Sequence, residues 1–169
     1  YQVGENSVHA VDGVDLNIWE GEFVCISGRS GSGKSTLLSL LAGLESPTDG
    51  EVILMGEHLE QMNEQERGRF RRDHIGFIFQ AYNLLPQFSS WENVAVPLEI
   101  RGVPLEQRRE KAMEALEMVG LRDHAEHRPT ELSGGQQQRI SIARAIITRP
   151  GIVFADEPTG NLDSRTGTE

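Results

Sequence analysis

Gly28-Arg29-Ser30-Gly31-Ser32-Gly33-Lys34-Ser35 fits the pattern G-x-x-x-x-G-K-[ST], with an apolar run before it and a helical run after it. That order suits phosphate chemistry. Glycines let backbone N–H groups turn inward around phosphate oxygens, and a helix start adds partial positive charge at the same point. Lys34 is then placed to reach the β- and γ-phosphates of a nucleotide, and Ser35 to ligate Mg²⁺. A chance match in ordinary composition is on the order of one in a hundred, before the flanking elements are counted.

Two further stretches carry chemistry. The run from Pro150 through Ala155 is apolar and ends in Asp156-Glu157. Ligands of open α/β sheets sit beyond the carboxyl ends of strands. If this strand neighbours the one before the phosphate loop, Asp156 points at the metal held by Ser35. Glu157 is then placed to orient or deprotonate an attacking water. Acidic residues also end many buried strands, so the carboxylates gain meaning only beside the loop. In Leu132-Ser133-Gly134-Gly135-Gln136, Ser133 and Gln136 read as a Ser-x-x-Gln capping box. Capping leaves the two glycines unexplained, since each costs a helix about 1 kcal/mol relative to Ala. A close approach of phosphate to this second helix start would explain them. The first loop already cradles one γ-phosphate, so the second cradle suits a nucleotide held by another copy of the chain.

Residues of this kind need an α/β scaffold. Apolar runs at Phe23–Ile26, Val52–Met55, Ile75–Phe79 and Ile152–Ala155 read as strands of a mostly parallel sheet, buried on both faces. Helices are predicted at Lys34–Leu44, at Glu106–Val119 closed by Gly120, and at Gly135–Thr148 stopped by Pro150. Strand signals vanish between Gln80 and Pro129. Ser89 and Glu92 form a capping box there, so this stretch reads as a helical insert between two strands. Arg67, Arg69, Arg71 and Arg72, flanked by Glu64, Glu66 and Asp73, read as a solvated helical face. The five histidines show no metal spacing and read as surface or packing residues.

With 169 residues the chain is one domain or a piece of one. Its 26 acidic against 16 basic residues give a net charge of −10, which argues against a nucleic-acid-binding surface. Hydrophobic residues at 37% and charged ones at 25% exclude a disordered chain. The single cysteine, Cys25, permits no internal disulfide and reads as buried, with the cytosol as the default compartment. The apolar run Leu37–Leu44 is far short of the roughly 20 residues that span a bilayer.

Taken together, the loop at Gly28–Ser35, Leu132–Gln136, and Asp156-Glu157 followed by Pro158-Thr159-Gly160-Asn161-Leu162-Asp163 resemble the ATP-binding subunit of an ABC transporter. Phe79-Gln80 with Asn83 to Pro86, Glu92-Asn93-Val94 and the run from Ala155 to Asp163 is similar to the branch of lipoprotein-release, macrolide-export and cell-division ATPases. The resemblance covers almost the whole chain. It implies a P-loop NTPase with an ATP-binding core over 1–80 and 130–169 and a helical subdomain over 81–129. It further implies ATP and Mg²⁺ as ligands. Gly28, Ser30, Gly31, Ser32, Gly33, Lys34, Ser35 and Thr36 hold the nucleotide in such a subunit, Tyr1 stacks on adenine, and Ser35, Gln80 and Asp156 serve the metal. Glu157, Lys34 and Gln80 are catalytic. Ser133, Gly134, Gly135, Gln136 and Asp163 act across a dimer.

The partners implied are a second copy, closing head to tail around two ATP molecules, and a membrane-spanning permease at the cytoplasmic face of the cell membrane. Nucleic acid is not among them. A soluble ABC ATPase of chromosome or repair type, an alternative reading, would carry a very long coiled coil between Gln80 and Leu132, where this chain has only a small helical unit. An ATP-gated signalling module of cell-division type stays open. The family's switch histidine has no counterpart after Asp163, and the chain resembles a fragment lacking terminal elements at both ends. Residues 1–169 alone are therefore expected to hydrolyse ATP weakly or not at all.

Overall fold

The computed structural model describes residues 10–158 and, as backbone, the short strands β1 (Gln2–Val3) and β2 (Asn6–Ser7), which pair antiparallel. Tyr1 and Asn161 to Asp163 lie outside the described residues. Two compact units are present, 1–61 and 62–169. Among the described residues no helix is long and apolar enough to cross a membrane.

In the first unit the helix after the glycine loop is α1 (Lys34–Leu41). It stops short of the expected Leu44 because Gly43 turns left-handed, at φ 64°, and Leu44 N–H returns to Ser39 O. The segment Val52–Met55, expected as a buried parallel strand, instead gives β3 (Ile53–Leu54). It pairs antiparallel with β4 (Glu57–His58). Met55 at φ 54° and Gly56 at φ 83° are both left-handed, as a two-residue hairpin turn demands. Phe23–Ile26 departs further. It joins no ladder, Phe23 is 96% exposed, and Cys25 is exposed rather than buried. Apolar content favours a strand only where a neighbour supplies the ladder, and this run has no hydrogen-bonded neighbour among the described residues.

The second unit begins with α2 (Glu64–His74), whose Asn63 and Glu66 close a capping box. Of its arginines, Arg69 and Arg72 lie on the solvated face expected, whereas Arg67 and Arg71 are half-buried and both reach Glu64; Arg72 pairs with Asp73. Next come β5 (Ile75–Ile78), α3 (Ser90–Ile100), α4 (Leu105–Met118), α5 (Gly134–Ile146) and β6 (Ile152–Ala155). β5 and β6 run parallel, Ile75 opposite Ile152 and Ile78 opposite Ala155. α5 crosses β5 at Gly76, where a Cβ would stand 2.4 Å from Ala145 O, so no larger residue fits.

The core lies among α3, α4 and α5, around Val94, Leu116, Leu121, Ile140 and Ala143. Leu116 and Ile140 are fully buried, each worth about 1.5–3 kcal/mol over exposure. Asn93 is as buried as they are, yet satisfied. Its Oδ1 accepts from Leu85 N at 2.7 Å, and its Nδ2 lies within 3.1 Å of the carbonyls of Leu85, Phe88 and Ser89. The loop into α3 is thereby fixed. Ser90 and Trp91 N–H groups donate to His127 O and Ala125 O, which ties that loop to the turns before α5.

Candidate active site

The glycine loop runs straight into α1. Gly33 is its N-cap at φ 87°, and among the described residues no side chain caps the first-turn amides. No acidic residue occupies the first turn either. The N–H groups at this end therefore have no side-chain acceptor, which makes a helix start an anion site. A side chain is excluded at Gly33, and at Gly28 one would require Ser32 to swing aside. A Cβ on Gly33 would lie 2.1 Å from Ala10 O, and one on Gly28 would lie 2.7 Å from Ser32 Oγ. Lys34 folds back over the loop, its Nζ donating to Gly28 O and Arg29 O at 3.0 Å each. Lys34 also lines a cleft of about 270 Å³, together with Ala10, Val11, Ser32, Gly33 and Leu37. Ser30, Gly31 and Ser35 are exposed and Thr36 is half-buried.

In the second unit the parallel pairing of β5 and β6 brings their carboxyl ends to one edge. Asp156 N–H donates to Ile78 O at 3.0 Å, carrying the pairing one residue past the strand. Gln80 follows β5 and Glu157 follows β6, and there Gln80 Nε2 donates to Glu157 Oε2 at 2.8 Å. Both are exposed, and Asp156 is half-buried. Glu157 takes φ 45°. A left-handed non-glycine costs about 1–3 kcal/mol and persists where surroundings over-determine it, often at reactive sites. Beyond Gln80, Tyr82 at φ 59° and Asn83 at φ 49° are left-handed too. Arg144 of α5 donates to their carbonyls, at 2.7 Å and 2.6 Å. Burial holds its guanidinium below the usual arginine range.

At the start of α5 the capping box exists. Gln136 N–H donates to Ser133 Oγ at 3.3 Å, and Ser133 N–H donates to Gln136 Oε1 at 2.9 Å. With its oxygen so engaged, the Gln136 amide turns its nitrogen to His124 Nε2, 3.2 Å away. Gly134 and Gly135 are half-buried beside them.

Of the residues expected from sequence, Gln80, Asp156 and Glu157 gather at one sheet edge, and Ser133–Gln136 form one helix start of the same unit. Gly28–Thr36 belong to the first unit. Tyr1 and Asp163 lie outside the described residues. Nothing in the sequence marks Arg144, and the histidine spacing gives His124 only a surface or packing role. No spacing rule connects position 144 to a loop sixty residues earlier, so only the packing of α5 reveals that grip.

The family model for ABC transporters matches residues 11–160. An ABC transporter ATP-binding protein of Thermotoga maritima is 51% identical over the whole chain, which spans 72% of that relative. The ATP-binding protein YtrE of Bacillus subtilis is 52% identical over 98% of the chain and 71% of its own length. The lipoprotein-releasing ATP-binding protein LolD of Pseudomonas fluorescens is 50% identical over 98% of the chain and 73% of its own. A dimeric, post-hydrolysis ATP-binding cassette bound to ADP and phosphate superposes with a TM-score of 0.94 at 46% identity. That match covers 99% of the chain and 74% of the solved one. With the uncapped loop at α1 and the Gln80–Glu157 pair at the sheet edge, these likenesses show that the chain belongs to the ABC transporter family, as one of its ATP-binding ATPases.

Proposed function

We propose that this ATPase drives a membrane-embedded partner of the lipoprotein-release type by closing, with a second copy, around two ATP molecules. The observation that carries the reading is the hydrogen bond between Gln80 and Glu157, because it places a carboxylate and an amide together at the edge where α/β sheets bind ligands. Support for the pairing of copies comes from the solved dimeric cassettes. Support for the membrane partner comes from the names of the lipoprotein-releasing relatives.

In this reading the amides of Gly33 to Ser35 bind the phosphates, and Lys34 exchanges its loop carbonyls for β- and γ-oxygens. Glu157 takes the proton of the attacking water, which Gln80 helps to hold in line. Ser35, Asp156 and Gln80 present hydroxyl, carboxylate and amide oxygens, the hard donors that Mg²⁺ selects, and they would hold the ion. Magnesium, when bound, screens charge on the β- and γ-phosphates. Ser133, Gly134, Gly135 and Gln136 meet the nucleotide of the opposite copy. The helical subdomain is 81–129, and the protein works at the cytoplasmic face of the cell membrane.

The test is Glu157→Gln in the full-length protein. The neutral side chain fills the site without accepting a proton, so ATP binding persists, turnover falls and an ATP-bound dimer accumulates in size-exclusion chromatography. A variant that hydrolyses ATP at the parental rate, or stays monomeric with ATP, would remove Glu157 from this role.

A further inference from the structure

We infer that Arg144 is a positioning residue for hydrolysis, holding the loop after β5 so that Gln80 meets Glu157; this rests on the reading of Gln80 and Glu157 as the pair that handles water. Three observations converge on it. Gln80 and Ala81 are the central residues of a turn closed by Tyr82 N–H on Phe79 O at 3.1 Å. That turn leads directly into Tyr82 and Asn83, two consecutive non-glycine residues at positive φ. Such backbone persists only where neighbours impose it.

Arg144 is the neighbour. Its Nη2 donates to Tyr82 O and its Nη1 to Asn83 O, so one planar guanidinium grips both left-handed residues from α5. Charge-assisted bonds of this length are among the stronger hydrogen bonds a protein makes. Among the described residues Arg144 forms no salt bridge, so its charge is spent on these carbonyls rather than on a carboxylate. α5 itself is held against β5 at Gly76, which gives the grip a rigid base. Four links therefore run in series: α5, Arg144, the left-handed pair, and Gln80 on Glu157. The helix that starts at Ser133 also sets the geometry at the end of β5.

The experiment is a double-mutant cycle on the full-length ATPase, with kcat and KM for ATP measured for the parent, Arg144→Lys, Gln80→Ala and the combination. Lysine keeps the charge and loses the two-pronged fork. Arg144→Lys is expected to lower kcat about ten- to a hundred-fold, the range for a lost pair of charged hydrogen bonds, and to leave KM within about twofold. In the Gln80→Ala background the same substitution should change kcat by less than about threefold, since the group it positions is gone. A loss from reduced folding would appear equally in both backgrounds, so an undiminished effect of Arg144→Lys there would overturn the proposal alone. Parental kcat in Arg144→Lys would do the same. Parental turnover in Gln80→Ala would overturn the reading of Gln80 and, with it, the proposal.

Discussion

At the start of α1 a left-handed Gly33 leads into the helix with no side chain among the described residues over the first-turn amides, whereas at the start of α5 Ser133 and Gln136 cap each other's N–H reciprocally. The two termini share glycines and a helix dipole, and they differ in what satisfies the N–H groups. In the reading proposed above, the start of α1 takes phosphate once Lys34 leaves the carbonyls of Gly28 and Arg29. At α5 the cap takes up the Gln136 N–H, with Gln136 further engaged by His124, while no side chain among the described residues caps Gly134 or Gly135. A phosphate that takes the Gln136 N–H must displace a cap worth about 1 kcal/mol. In the reading proposed above, that difference orders events: a single copy takes nucleotide at α1, and α5 responds only when a partner's γ-phosphate replaces its internal bonds.

The largest expected effect is at the open terminus. Lys34→Ala should cut ATP turnover of the full-length protein by at least about a hundredfold, since one lost electrostatic contact to the reacting group commonly costs that much. Steady-state phosphate release checks it, and near-parental turnover would take the loop out of the account. Gly33→Ala comes next. Its Cβ meets Ala10 O at 2.1 Å and its φ of 87° strains any L side chain. A loss of ATP affinity of about tenfold or more is expected by calorimetry, beside a melting loss of about 1–2 kcal/mol.

The closed terminus allows a finer separation. Ser133→Ala should lower stability by about 1 kcal/mol, while Ser133→Gly should cost only a few tenths, because glycine tolerates the N-cap position. Both remove the hydroxyl. If Ser133 also meets the partner's nucleotide, ATP-driven association measured by analytical ultracentrifugation weakens equally in both variants. Association that follows stability instead would reduce Ser133 to a cap.

The smallest effect belongs to the first unit's own framework. Glu60 accepts from Val52 N–H at 3.0 Å and faces His58 Nδ1 at 2.8 Å. Its pKa is lowered, chiefly by the Val52 bond, from an ordinary 4.5. A carboxyl depressed in the folded state stabilises above its unfolded pKa and loses that contribution as pH falls through the folded value. Thermal melts of the parent and Glu60→Gln should therefore differ slightly at pH 7 and draw together as pH falls below the ordinary 4.5 and through the lowered folded value. A gap that stays constant would show that the carboxylate's charge is not what holds Val52.

Much of this was legible because it is local. The capping boxes at Ser89/Glu92 and Ser133/Gln136 mark helix starts that the structure reproduces, and β5 and β6 lie within a residue of the apolar runs that announced them. The phosphate loop was legible because its chemistry sits in eight consecutive residues. What escaped depends on neighbours. Phe23–Ile26 has the composition of a strand but no ladder, and Val52–Met55 turns back at Met55-Gly56 because two left-handed residues fit a hairpin. Arg144 and His124 acquire their roles only when packing brings distant segments together. The bond between Gln80 and Glu157 spans 77 positions of sequence. Residue types suggested that edge, and β-pairing made it.

The most direct test of the ordering is amide NMR of the full-length Glu157→Gln protein, following Gly33 to Ser35 beside Gly134 and Gly135. The account predicts that ADP at dilute protein concentration shifts only the amides at the start of α1. ATP at concentrations where the protein dimerises should then shift both sets, with the Ser133 N–H leaving its bond to Gln136. Shifts at Gly134 and Gly135 in a nucleotide-bound monomer, as large as those at α1, would contradict it.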